Sequence, residues 1–339
     1  MPGKSERRRA YIGIDIGGTK SLYALFDESF EVIAEEKLRT HPDKGGVDAF
    51  TRAMEKTVKS LLNKAKRGGF EVRRVGVGCA GDIDMKKGVV RASPNLEILA
   101  GYEMHDRLEK LTGAKVFVGH DVQAALYGEF RHGAAKKGRH VIGVWLGTGV
   151  GGALIIGGRL HLGATGYAGD IGNYLLHAVE GGHAPDRKEV LDNVASRPAI
   201  AGVAASLAAK HRAPTLRKAA GTDVTDIKAG DIAEAIRKGD KAVEKVVRGR
   251  AGVVGTALSN LVDFLNPDTI VLGGGMVEAM PRLMTREIRR AIDDHASPKS
   301  AKAVKVAAAK LGDHAGTVGA ACLAVDMFAG APPIDLDAL

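Results

Sequence analysis

The chain opens on short apolar blocks divided by glycine. Residues 11–16 and 21–26 are apolar runs separated by Gly17-Gly18-Thr19-Lys20, and 31–37 follows as a third run, a spacing that predicts a β-meander. The period then changes. Val47, Phe50, Met54, Val58, Leu61 and Leu62 recur at helical intervals across 47–65, and 74–78 is an apolar run of strand length. The succession returns more loosely as a strand at 116–119, a helix at 122–130 and two strands, 141–146 and 153–156, around Gly147-Thr148-Gly149. The two glycine hairpins suggest an ancient duplication of one lobe. The second half is mainly helical. Its longest predicted helix, 241–265, turns Val243, Val246, Val247, Val254, Leu258, Leu261, Val262 and Leu265 toward a core, and Asn266-Pro267 ends it. A strand over 269–272 is then broken by Gly273-Gly274-Gly275 before another helix. Residues 212–230 are the most polar and least periodic stretch and read as a surface excursion.

At 339 residues the chain exceeds the roughly 250–300 at which a single core stops growing, so two domains are expected. The net charge of +9 admits nucleic acid, an anionic surface or a polyanionic small substrate. Aromatics at 4%, with no helix-turn-helix or RNA-binding signature, argue against nucleic acid. Part of the excess is local. Lys4, Arg7, Arg8 and Arg9 read as a solvated tail, and Lys136, Lys137 and Arg139 as a turn. Cys79 and Cys322 alone build no disulfide framework and fit a reducing cytosol. The first ten residues hold no apolar signal-peptide core, so a cytoplasmic protein is expected. Residues 141–158 carry no charge and have the length of a short membrane span, but seven of them are glycine, each costing about 1 kcal/mol in a helix. Strand, turn, strand is the better reading, and no membrane association is expected.

Backbone N–H groups approach phosphate oxygens closely only in glycine-rich turns, and this chain has three such turns, each directly after an apolar strand. A P-loop is excluded, because Gly-Gly-Thr-Lys lacks the GxxxxGK spacing and leads into a strand. The dinucleotide fingerprint GxGxxG matches at Gly76-Gly78-Gly81 and Gly147-Gly149-Gly152, but neither match opens a helix: 82–90 reads as a loop or hairpin and 153–156 as a strand. Together, the ten residues from Tyr11 to Lys20, the Gly147–Gly152 hairpin and the run from Asn266 to Gly275 resemble the ROK family of bacterial glucokinases, related sugar kinases and sugar-responsive repressors. The resemblance spans about residues 11–325.

That resemblance implies an α/β, actin-like (ribonuclease H-like) ATPase fold with two lobes and a central cleft. Residues 1–120 form the small lobe, joined by a C-terminal helix at about 313–330, and 121–312 form the large lobe. It implies ATP and Mg2+ as cofactors, with Gly17, Gly18, Thr19, Lys20, Gly147, Thr148 and Gly149 around the phosphates and Gly273, Gly274 and Gly275 beside adenosine. Asp15 is the expected magnesium-linked carboxylate, acting through phosphate or water.

Phosphoryl transfer also needs a carboxylate near the attacking hydroxyl. Asp121 is the candidate base; a plain helix N-cap is its alternative reading. On the sugar side the resemblance points to Gly81, Asn95, His120, Asp121, Asp170, Asn173 and Asp192. Here the chain departs from the family. His120 stands where Asn is usual, Asp170 and Asp192 where Glu is usual, and Asn173 where a zinc-binding His is usual. Residues 178–195 lack the family's zinc cysteines, so no structural zinc is expected; His177, His183 and Asp186 are a remote substitute. The expected reaction is phosphorylation of a hexose, glucose first, by a homodimer. Alternatives are fructose, mannose, N-acetylmannosamine or N-acetylglucosamine as acceptor, polyphosphate as donor, or a catalytically silent sugar-binding regulator. Only ten residues precede Tyr11, so no DNA-binding module is expected ahead of it.

Overall fold

The computed structural model describes residues 7–40, 45–93, 96–176, 189–329 and 332–336. The opening meander is β1 (Arg8–Ile16), β2 (Lys20–Asp27) and β3 (Val32–Arg39), followed by α1 (Gly46–Arg67) and β4 (Phe70–Cys79). A small sheet of β5 (Asp82–Asp84), β6 (Val89–Ala92) and β7 (Tyr102–Glu103) precedes α2 (Met104–Thr112), β8 (Lys115–His120) and α3 (Asp121–His132). Next come β9 (Val141–Leu146), β10 (Val150–Ile156) and β11 (Arg159–His161). Helices α4 (Leu191–Ala195), α5 (Arg197–Ala209), α6 (Pro214–Ala220), α7 (Ala229–Arg237) and α8 (Lys241–Leu265) lead to β12 (Thr269–Gly273). The chain ends through α9 (Gly275–Ala279), α10 (Pro281–His295), α11 (Pro298–Ala303), β13 (Lys305–Ala308) and α12 (Ala315–Met327).

The two glycine hairpins belong to two five-stranded sheets of equivalent order, β3-β2-β1-β4-β8 and β11-β10-β9-β12-β13. In the first, β1 pairs antiparallel with β2 and parallel with β4, and β4 pairs parallel with β8. In the second, β9 pairs antiparallel with β10 and parallel with β12, and β12 pairs parallel with β13. Parallel strands buried on both faces read as unbroken apolar runs, which is why 74–78, 141–146 and 269–272 stood out in the sequence. The duplication expected from the hairpins is thus present in the strand order. Neither GxGxxG match opens a helix: β4 runs into the β5–β6 hairpin, and Gly147, Gly149 and Gly152 lie in the β9–β10 hairpin.

The chain divides into two compact units. Unit 1 comprises residues 1–136, 158–167 and 313–339; unit 2 comprises 137–157 and 168–312. The expected boundary at 120/121 moves because α3 lies along α12 and on β4, which ties residues 121–136 to unit 1. The core of unit 1 is built on α12, whose residues 315–324 are all buried; a helix apolar on every side belongs inside. Unit 2 packs α8, α5 and α10 with the apolar faces of β9 and β12.

Two readings change. Arg8 and Arg9 are not tail but the first residues of β1; Arg8 donates to the Gly68 carbonyl and lies over the Phe70 ring. Residues 212–230 are not a surface excursion throughout. They contain α6, with Leu216 and Ile227 fully buried. The Asp240 carboxylate accepts the Thr215 and Leu216 N–H groups and so satisfies donors that the short helix leaves open. Two turns are too few for a period to show. Among the described residues, no helix is long and apolar enough to cross a membrane.

Candidate functional site

In unit 1 the first glycine turn is pinned from behind. The Gly17 N–H donates to the Lys20 carbonyl at 3.1 Å, closing the turn. Thr40, fully buried, donates its hydroxyl to the Gly17 carbonyl at 2.7 Å and its N–H to the Thr19 carbonyl at 3.1 Å, while its Oγ1 meets the Ser21 hydroxyl. With the carbonyls held to the rear, the turn has a fixed shape before any ligand arrives. Lys20 Nζ binds Asp313 Oδ1 at 2.9 Å, and Lys37 Nζ binds Asp313 Oδ2 at 3.4 Å.

Asp15 ends β1 just ahead of that turn. Burial, reinforced by the neighbouring charge of Asp121, pushes its carboxyl up to about 7, with Lys20 opposing and Asp313 adding to the rise. Gly316 on α12 leaves room for it, since a β-carbon there would lie 2.5 Å from Asp15 Oδ2. A carboxyl that keeps its proton when folded, through a range where the unfolded chain loses it, favours the folded state at low pH. That stability is complete below the ordinary carboxylate range and is lost as pH rises through about 7. Asp15→Asn should therefore raise the melting temperature of the ligand-free protein at pH 8, by up to about 4 kcal/mol in stability, and leave it unchanged at pH 4. Equal melting shifts at both pH values would show that the Asp15 charge is not the cause.

Asp121 is the first residue of α3, placed there because β8 ends at His120. Its Oδ1 accepts the Val122 N–H at 2.7 Å, and His120 Nδ1 stands 3.1 Å from the same oxygen. Its side chain remains 26% exposed, open to a substrate yet anchored through one oxygen. Asp15 and the residue before Asp121 lie at the carboxyl ends of β1 and β8, on either side of β4, where Gly78 leaves space for the Asp121 backbone. Carboxyl ends of parallel strands are where α/β sheets place their ligands. Cys79 ends β4 at the same edge, buried, its thiol pushed up by burial and by both aspartates. Gly81 packs against Ala92 and Ser93. Asn95 lies outside the described residues.

In unit 2, Gly147, Thr148 and Gly149 form the β9–β10 turn, with the Gly147 N–H on the Gly149 carbonyl at 2.9 Å. Its anchor is Asp192, expected on the sugar side: Oδ1 accepts the Val150 N–H at 2.5 Å. The Gly147 carbonyl accepts the Arg197 N–H at 2.8 Å, so α4 and α5 both hold the turn. Gly172 packs at the other face of Val150, where a β-carbon would lie 2.1 Å from the Val150 carbonyl oxygen. The turn that carries Asp170 and Asn173 is thereby laid on β10, with Asn173 Nδ2 donating to Asp170 Oδ2 at 2.7 Å and both side chains exposed. The hairpin and the Asp170 and Asp192 segments therefore meet at one residue, Val150.

The triple glycine also lies in unit 2. Gly274 has φ +84°, and a β-carbon there would lie 2.7 Å from the Leu146 backbone, so the turn admits only glycine. Gly273 packs against the Trp145 ring, and Gly275 begins α9. Sequence reasoning missed Thr40, Asp313, Gly316 and Arg197. Asp313 and Gly316 carried a signal, the Gly-Asp-His-Ala-Gly start of the last helix; Thr40 carried none. Among the described residues no group of three or more His, Cys, Asp and Glu could hold a metal ion, and His177, His183 and Asp186 lie outside them.

The ROK family model matches residues 11–327. A glucokinase of Halalkalibacterium halodurans is 30% identical over 92% of this chain and 93% of its own length, and one of Thermotoga maritima is 28% identical over 94% and 98%. A ROK glucokinase of Streptomyces griseus, solved with glucose and AMPPNP, superposes with a TM-score of 0.77 at 30% identity, covering 93% of this chain and 99% of its own. The chain belongs to the ROK family and has the actin-like ATPase fold. By class it is a sugar kinase.

Proposed function

We propose that the chain transfers the γ-phosphoryl group of ATP to a hydroxyl of a hexose, glucose first, in the cytoplasm, with Asp121 as general base. The observation that carries the reading is Asp121 itself. It is a half-buried carboxylate at a helix start, fixed through Oδ1 and with Oδ2 left to take a proton from a sugar hydroxyl. Solvated N-caps have no need of a second carboxylate at the same sheet edge, whereas phosphoryl transfer uses both a base and an acidic group near the phosphates.

The glycine turns supply backbone N–H donors for phosphate oxygens, and their carbonyls are already engaged from behind by Thr40 and Arg197. Lys20 adds a positive charge near the phosphate turn. Asp15 fits magnesium: it is a hard oxygen donor whose charge is disfavoured by burial and by Asp121, and a divalent cation relieves both. Asp15 would hold the ion through water or phosphate oxygens, and the ion would neutralise charge on the transferring group. Asp170, Asn173 and Asp192 Oδ2 are the proposed partners of sugar hydroxyls, and Gly273–Gly275 of adenosine. The glucokinase of Streptomyces griseus binds glucose and AMPPNP, which supports both substrates.

The test is ADP release with Mg·ATP across glucose, mannose, fructose, N-acetylglucosamine and N-acetylmannosamine. Turnover of one hexose well above the rest supports the reading and names the acceptor; no turnover with any of them overturns it. Asp192 offers a finer check. Asp192→Ala removes the acceptor for the Val150 N–H and should raise the KM for ATP about tenfold or more. Asp192→Asn keeps an oxygen there and should spare the ATP KM, while both changes raise the hexose KM. Equal ATP KM values in the two variants would separate Asp192 from the hairpin.

A further inference from the structure

Beside the phosphate turn of unit 1, one carboxylate holds two lysines. Asp313 stands in the 3-10 turn Gly312–His314, directly ahead of α12, and each of its oxygens meets one ammonium: Oδ1 that of Lys20 at 2.9 Å, Oδ2 that of Lys37 at 3.4 Å. Strand register explains the meeting. Asp15 pairs with Leu22 and Leu22 with Lys37, and Lys20 lies two residues before Leu22, so Asp15, Lys20 and Lys37 share one face of the sheet. Helix α12 packs on that face, against Gly13 and, through its own Gly316, against Asp15. Asp313 comes three residues before Gly316, and its turn is tied to β3 a second time: His314 Nε2 lies 3.3 Å from Glu35 Oε2.

By charge alone Asp313 is a poor neighbour for a phosphate site. It repels the anion that the turn would receive, and it adds to the burial and repulsion that already disfavour the Asp15 carboxylate. Stability does not account for it either, because exposed lysine–carboxylate pairs contribute little to folding. What the carboxylate supplies is direction. The Lys20 side chain is 65% exposed and would otherwise swing on a flexible stem. Its carbonyl is fixed by the Gly17 N–H and its ammonium by Asp313, so the whole residue is in place before a ligand arrives. One N–H of the ammonium goes to Asp313, and the others remain for phosphate oxygens.

We propose that Asp313 is a positioning residue for phosphoryl transfer: it fixes the Lys20 ammonium at the phosphate turn, where Lys20 neutralises charge on the transferring group, and Lys37 keeps Asp313 itself from turning. Asp313 has this role only if the chain is the ATP-dependent kinase proposed above.

Steady-state kinetics with Mg·ATP and the preferred hexose test it, on the wild type, Asp313→Asn, Lys20→Met and the double variant. Asp313→Asn keeps the shape of a side chain that is 41% exposed, so the melting temperature should not move. Two opposite signs are at stake. If Asp313 acts only through its charge, losing a negative group beside the phosphate turn should raise kcat/KM for ATP. If it places Lys20, kcat/KM for ATP should fall about tenfold or more while the hexose KM stays unchanged. In the Lys20→Met background the same substitution should change kcat/KM by less than about twofold, because no ammonium is left to place. An active wild type whose Asp313→Asn variant matches or exceeds it toward ATP overturns the role of Asp313 and leaves the kinase reading standing. So does a loss of the same size with and without Lys20. A wild type that turns over none of the sugars overturns both.

Discussion

Asp121→Asn should lower kcat by about 10³-fold while leaving the melting temperature and the hexose affinity close to those of the wild type. The substitution keeps the size of the side chain and an oxygen to accept the Val122 N–H, so the start of α3 is preserved. What it removes is the basicity of the second oxygen. If that oxygen takes the proton from the attacking hydroxyl, the loss falls on the chemical step and not on binding, and kcat drops where KM does not. Calorimetry with the hexose and a steady-state assay on the same sample separate the two. A kcat within tenfold of wild type would return Asp121 to the plain helix-start role that its position alone suggests. A fall in hexose affinity equal to the fall in kcat would make it a binding group.

The parts of this architecture that the sequence announced are those fixed by local chemistry. Strand, glycine turn, strand was readable at Gly17–Lys20 and at Gly147–Gly149 because buried strands need apolar runs and tight turns need glycine, and both demands fall on neighbouring residues. The longest helix was readable end to end, since a 3.6-residue period has room to repeat over 25 residues. In α6, seven residues long, it has none. The site divides the same way. Asp15, Asp121 and the glycine turns lie in recognisable runs. The groups that hold them do not: the hydroxyl of Thr40 reaches the Gly17 carbonyl across 23 positions, and Asp192 reaches the Val150 N–H across 42. Nothing local to Thr40 or Asp192 specifies such a bond. Asp192 shows the consequence. The resemblance assigns it to the sugar, and its Oδ1 also holds the hairpin backbone at Val150, a second task that no local pattern announces.

Gly319→Ala should destabilise the protein by about 3 kcal/mol or more, against the usual benefit of replacing a helical glycine. A β-carbon at 319 would lie 1.7 Å from the Ala124 carbonyl oxygen, and both atoms belong to helix backbones that no side-chain rotation can move. The same closeness recurs around α12. A β-carbon at Gly128 would meet the Ala315 carbonyl oxygen at 2.5 Å, one at Gly13 that of Thr317 at 2.0 Å, and one at Gly76 that of Ala320 at 1.8 Å. Helix α12 therefore sits on α3, β1 and β4 at backbone distance, on glycines contributed by all four elements, and α3 can move off Gly319 only by tilting. Tilting α3 swings its first residue, which is Asp121. The variant should thus lose activity below its melting temperature, through kcat, as the base leaves its place at the sheet edge. Gly202→Ala in α5 is the matched control: nothing stands within 4 Å of the added carbon, and stability should rise by up to about 1 kcal/mol. Thermal melts of the two variants should shift in opposite directions. A Gly319→Ala protein as stable as wild type would mean that α3 and α12 separate freely, and a helix so easily moved could not hold a general base in position.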